Sequence, residues 1–203
     1  MYMNNFPKYF ITLFCWAAVV YPLWIRFSSV RWHTQTLAHD LFPFFGMIAF
    51  SLLWLHALAG VFEPWLKKHI QFDRFVTITA SIILACLILH PLLLLVDFSF
   101  KIFDIYQAYN YLYLWLGICG WVLLITYDIG KFLKKKYNFF ERHWQDILTI
   151  STIGFLLTFF HSLYMGSDLQ SGLLRQVWLF YGITAILATI YTYGIKRFLI
   201  NKS

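Results

Sequence analysis

Charge is what this sequence has least of. Only 12% of its 203 residues are Asp, Glu, Lys or Arg, against roughly 25% in a typical soluble domain. Acid is scarcer than base: nine Asp and Glu face sixteen Lys and Arg, for a net charge of +7. Three cysteines occur, none in a CxxC or CxxCH pair, which speaks against a disulfide scaffold, a zinc ribbon and covalently attached haem. No GxGxxG is present, so no nicotinamide or flavin domain is expected in this chain. Polar connections are short, about 15 residues at most, which leaves no room for a soluble domain or a low-complexity linker. No internal repeat stands out.

What is abundant is apolar. The chain is 61% hydrophobic and 22% aromatic, with a mean hydropathy of +0.66. A soluble domain of this size cannot bury so much apolar surface in one core. A basic chain can signal nucleic acid. Here, however, the basic residues form short clusters between long apolar runs, so nucleic acid is not the expected partner. Membrane lipid is.

A membrane-spanning helix needs roughly 20 mostly apolar residues. Six stretches meet that need, at 9–25, 41–61, 75–96, 110–130, 146–165 and 173–195. Their apolar runs are continuous and lack the alternation of a barrel strand. The expected fold is all-α: a polytopic membrane protein with six transmembrane helices in one bundle, residues 1–203 forming a single domain. The first apolar run follows one lysine, Lys8, and has no small-residue cleavage site, so it is expected to be retained as a helix.

Lysine and arginine give an orientation. With the N-terminus inside, twelve of the sixteen lie on the inner side, including Lys67, Lys68, Lys131, Lys134, Lys135 and Lys136. Only Arg26, Arg31, Lys101 and Arg175 lie outside. Positive charge gathers on the cytoplasmic side, so both termini are expected there. The triple lysine 134–136 is read as a contact for anionic lipid, with an acidic redox partner as the sharper alternative. Trp32, Trp65, Trp144 and Trp178 fall near span ends, where indole favours the membrane interface.

Ionisable residues inside spans are functional candidates. Of seven histidines, three fall within spans: His56, His90 and His161. Spans 3 and 5 run in the same direction. His90 and His161 each stand 15 residues after the start of their spans, at Phe75 and Asp146, roughly 22 Å above the inner boundary. Two imidazoles at matched depth on parallel helices can clamp a flat metal cofactor, giving a six-coordinate b-type haem. Ser151, Gly154, Thr158, His161 and Met165 share one helical stripe, as do Thr79, Cys86 and His90. Such small side chains leave room for a porphyrin edge, or simply let helices approach closely. His56 has no depth-matched partner and is read as a packed, hydrogen-bonded histidine. His69 and His143 are read as interfacial. Arg26, Arg31, Lys101 and Arg175 are candidates to pair with haem propionates, with Arg175, which opens span 6, the first choice.

These features resemble the ferric reductase-like transmembrane domain. That family includes NADPH oxidases, ferric reductases and the haem-binding membrane subunit of the bacterial periplasmic methionine sulfoxide reductase system. HWQDILTISTIGFLLTFFH is similar to the family's span-5 pattern, in which a Trp precedes two histidines 13 residues apart. DRFVTITASIILACLILHP is similar to its span-3 pattern ending in His-Pro, and FGMIAFSLLWL to its small-residue segment in span 2. The resemblance implies axial haem ligation by His90 and His161 and a bacterial inner-membrane location. It also exposes departures. Leu148 and Thr77 stand where two-haem members carry their other histidines, and neither can replace an imidazole. The resemblance therefore implies one haem b, on the outer-leaflet side.

One outer haem leaves a gap of about 20 Å to a cytoplasmic donor. A membrane quinol, an atypical inner cofactor or a partner protein would close it, and quinol needs the least additional protein. The expected function is electron transfer from quinol or a separate reductase to an acceptor on the outer face, such as a periplasmic redox partner. An oxidoreductase acting directly on an outer substrate is a further option. The rival is a cofactor-free membrane transport or scaffold protein whose histidines are structural.

Overall fold

The computed structural model describes residues 6–29 and 36–196. Arg31, Trp32, His33, Arg197 and Lys202 lie outside them. The described residues contain eight α-helices and no strand. Six are long and apolar enough to cross a membrane: α1 (Phe6–Ser29), α2 (Leu37–His69), α3 (Phe72–Asp97), α5 (Tyr111–Lys134), α7 (Trp144–Met165) and α8 (Gly172–Thr189). The last continues as a π-helical turn, Ile190–Ile195. Two short helices, α4 (Ile102–Ala108) and α6 (Asn138–Arg142), occupy connections between the spans.

The helix starts follow local chemistry. Thr36 caps α2 by accepting from the His39 N–H, and Asn110 caps α5 by accepting from Leu112. Such caps satisfy N–H groups that have no partner within the helix. Helix α2 runs eight residues past the end of its expected span, through Pro64 to His69. Its 33 residues reach about 50 Å, well beyond a hydrocarbon core of roughly 30 Å.

The bundle carries apolar side chains outward. Leu13, Trp16 and Trp24 on α1 are each more than 60% exposed, as suits contact with lipid. The interior is built on α2 and α8. Phe50 stacks on Trp178 at 4.4 Å, and Trp54 stacks on Tyr181 at 4.0 Å. Trp178 is 1% exposed and donates its indole N–H to Ser162. That corrects its expected interfacial placement: its span enters the bundle with this face turned inward. Trp65 is exposed, and Lys134 lies over the Trp144 ring at 4.8 Å, both fitting a helix-end position.

Of the four prolines inside the described helices, Pro22, Pro64 and Pro91 join the bundle. Proline offers no N–H to the carbonyl four residues before it, and a bare carbonyl in lipid costs several kcal/mol. Each freed carbonyl is taken by another helix. Pro91 frees Leu87, which accepts from the Trp121 indole at 2.7 Å. Pro22 frees Ala18, which accepts from the Tyr181 hydroxyl at 2.8 Å. Pro64 frees Gly60, which accepts from Lys196 Nζ at 3.1 Å.

The closest pairings are α2 with α3 and α5 with α7. These two hairpins repeat one pattern of contacts at an interval of 71 residues. Phe42, Gly46 and His90 correspond to Tyr113, Gly117 and His161. No repeat stands out in the sequence, yet these contacts recur. Too few identical residues carry the repeat for sequence inspection to find it.

Candidate functional site: a two-histidine cavity

Between the two hairpins lies a cavity of about 790 Å³ lined by both His90 and His161. Small-molecule sites span roughly 300–1,000 Å³. Its walls are mainly apolar.

Each histidine is fixed by the helix it faces. His90 Nδ1 lies 2.7 Å from the carbonyl of Phe42 on α2. His161 Nδ1 lies 2.8 Å from the carbonyl of Tyr113 on α5. A carbonyl only accepts, so each Nδ1 carries the proton and donates. In a neutral ring that leaves the lone pair on Nε2. Neither Nε2 has a hydrogen-bond partner among the described residues. This is the tautomer of a histidine that ligates metal through Nε2, its other nitrogen held by an outer partner.

The glycines explain how a ring reaches a helical carbonyl. In a helix the Cα–Cβ bond tilts toward the N-terminus, so the side chain at i+4 covers the carbonyl at i. Gly46 and Gly117 stand four residues after Phe42 and Tyr113 and leave those carbonyls bare. A Cβ at Gly46 would lie 3.0 Å from the His90 ring. A Cβ at Gly117 would lie 2.4 Å from the His161 ring, a distance that forces the ring away. Phe50 and Trp121, one turn further along, are also repeat equivalents, and both line the cavity.

The two stripes divide by role. Cys86, Thr158 and Met165 line the cavity beside the histidines. Gly154 instead meets Gly120: a Cβ on either would come within 3.0 Å of the other's carbonyl oxygen. Thr79 turns to His56, whose Nε2 lies 2.6 Å from the Thr79 hydroxyl. Thr79 donates to Phe75, so it accepts from His56. His56 is thus packed and hydrogen-bonded, as expected. His143 pairs with Asp146 at 3.1 Å, and His69 lies 2.9 Å from the carbonyl of Trp65. Both bonds are at exposed sites.

The cavity mouth carries the polar groups. His39 lines it, with Nδ1 2.9 Å from Asp97 Oδ2. Thr36 hydrogen-bonds the same carboxylate. Tyr109 also lines the mouth; burial and the Asp97 carboxylate push its phenol up, so it remains protonated at neutral pH. Arg26 lines the cavity at 5% exposure. Its guanidinium pairs with the Asp168 carboxylate, approaches the carbonyl of Asp40 at 3.5 Å and lies 5.0 Å from the Phe44 ring centre. Arg175 is absent from the cavity wall. It donates to the carbonyl of Leu169 at 2.8 Å, bracing the turn that carries Asp168. Lys101 does not line the cavity either. Sequence reasoning listed Arg26 among four cations but could not see that, of the three that are described, it is the one lining the cavity. It missed His39, and it missed Asp97 and Asp168, whose common signal is an Asp seven residues after His90 and after His161.

No group of three or more His, Cys, Asp or Glu side chains forms a metal site among the described residues, so the donor set here is the histidine pair. No protein-family model matches the chain, and neither a curated protein nor a solved structure matches it.

Proposed function

We propose that this chain is a b-type haem-binding membrane electron-transfer protein with His90 and His161 as axial ligands. One observation carries the reading. Two imidazoles at repeat-equivalent positions line a single cavity, each with Nδ1 donated to a backbone carbonyl and Nε2 unengaged. The residues fit the group: neutral nitrogen donors, apolar walls, a floor of Phe50 and Trp121, and a cation at the mouth. His90 and His161 would hold the haem, which would supply one-electron transfer at this position.

The protein's own part is to fix the ring tautomers, keep the surroundings dry and raise imidazole basicity through the carbonyl bonds. The ferric reductase-like resemblance supports this reading, as does the absence of histidine at Thr77 and Leu148 for a single haem. The histidine end of the bundle is then the outer face of a bacterial inner membrane, and both termini are cytoplasmic. Electrons enter from membrane quinol or a separate reductase and leave to a periplasmic partner, which makes the chain an oxidoreductase subunit.

The test is a dithionite-reduced minus oxidised spectrum of purified protein, with haem quantified as the pyridine haemochrome. The expected result is one b haem per chain. No haem after expression with ample supply overturns the reading and leaves a cofactor-free transport or scaffold protein.

A further inference from the structure

The guanidinium of Arg26 is buried at the cavity mouth and incompletely bonded. Arg26 is 5% exposed, and its Nε–H has no acceptor among the described residues. Its ion-pair partner among the described residues is Asp168, on the turn Ser167–Leu169 between α7 and α8, and the Asp40 carboxylate also acts on it through space. Arg175 and Gln170 hold that turn, donating to the carbonyls of Leu169 and Gly166. A guanidinium presents its donors as a planar fork suited to a two-oxygen partner. The Nε–H edge of that fork is open to a further carboxylate oxygen.

Resting on the haem reading above, we propose that Arg26 is the receptor for a carboxylate arm of the bound cofactor and that Asp168 is its placeholder. Asp168 pairs directly with this buried cation, where leaving the charge without that partner would be costly. When a carboxylate-bearing ligand enters, its oxygens take up the free Nε–H and share or displace Asp168. The arrangement sets the ligand's direction of entry: its acidic edge faces the mouth, and its apolar edge faces Phe50 and Trp121.

The test compares protohaem with its dimethyl ester, whose arms are uncharged, by Soret titration of the detergent-purified full chain. Wild type should bind protohaem roughly tenfold to a hundredfold more tightly than the ester, the range of one charge-assisted bond. Arg26→Gln should lose that preference and Arg26→Lys should keep part of it. Asp168→Asn should widen it, because the competing carboxylate is gone. Equal wild-type affinity for acid and ester, with an intact bis-imidazole spectrum, overturns the carboxylate receptor and leaves the haem reading standing. An unchanged preference in Asp168→Asn overturns the placeholder. Wild type that binds neither compound overturns both this proposal and the haem reading. If Arg26→Gln fails to fold, the wild-type and Asp168→Asn titrations still decide.

Discussion

The α2–α3 and α5–α7 hairpins hold their histidines with the same three parts but with different tightness. In the second hairpin Gly120 and Gly154 bring two backbones together, and His161 presses on Gly117. In the first, the equivalent positions are Ala49 and Ile83, both buried, and His90 clears Gly46 by more. Away from the cavity the likeness ends. His56 and Thr79 bond across the first hairpin. Their counterparts, Tyr127 and Ile150, cannot do so, and Tyr127 packs near Trp144 instead. The repeated part is therefore the device that orients an imidazole. Helix spacing and the opposite end vary around it.

That comparison can be broken at its strongest point first. His90→Ala and His161→Ala should each abolish the low-spin bis-imidazole spectrum, and to the same extent, because the positions are equivalent. An intact spectrum in either variant ends the ligand assignment. The glycines come next. Gly117→Ala should weaken haem retention roughly tenfold to a hundredfold, as for loss of an outer-shell partner, and Gly46→Ala by only a few-fold. Haem titration reads both, and the reverse order would show that clearance does not govern the site.

The indole bond between hairpins is a smaller effect. Trp121→Phe should cost about 1 kcal/mol of stability, measured by unfolding in mixed micelles. In a Pro91→Ala background, where the helix can supply its own donor to Leu87, the same change should cost clearly less. The smallest effect on the cofactor belongs to His56→Ala. The haem spectrum should be unchanged while stability falls by about 1 kcal/mol from the lost Thr79 bond. A lost haem signal there would place His56 at a second site.

Much of this was legible in the sequence. Continuous apolar runs mark the six spans, and matched depth singles out His90 and His161. What sequence reading lacked was lateral information. Nothing local to Phe42 or Tyr113 says that its carbonyl will meet a ring 48 residues later. The choice among Arg26, Lys101 and Arg175 depends on a turn whose path is set by packing of α7 against α8. Trp178 looked interfacial because position along a span was known and the face it presents was not. The 71-residue repeat rests on glycine, histidine and aspartate at a handful of positions, too few to rise above the shared apolar background.

Pro22, Pro64 and Pro91 also bear on the order in which the bundle is completed. Each leaves an acceptor bare until a later part of the chain arrives. Leu87 waits for α5, whereas Ala18 and Gly60 both wait for the last helix, through Tyr181 and Lys196. A chain that stops short of α8 thus exposes two unmet polar groups to lipid. Protease clearance of a chain ending at Ser171, compared with full-length protein, would measure that consequence. Read as timing, these helix breaks act as checkpoints that stay open until the final span has docked.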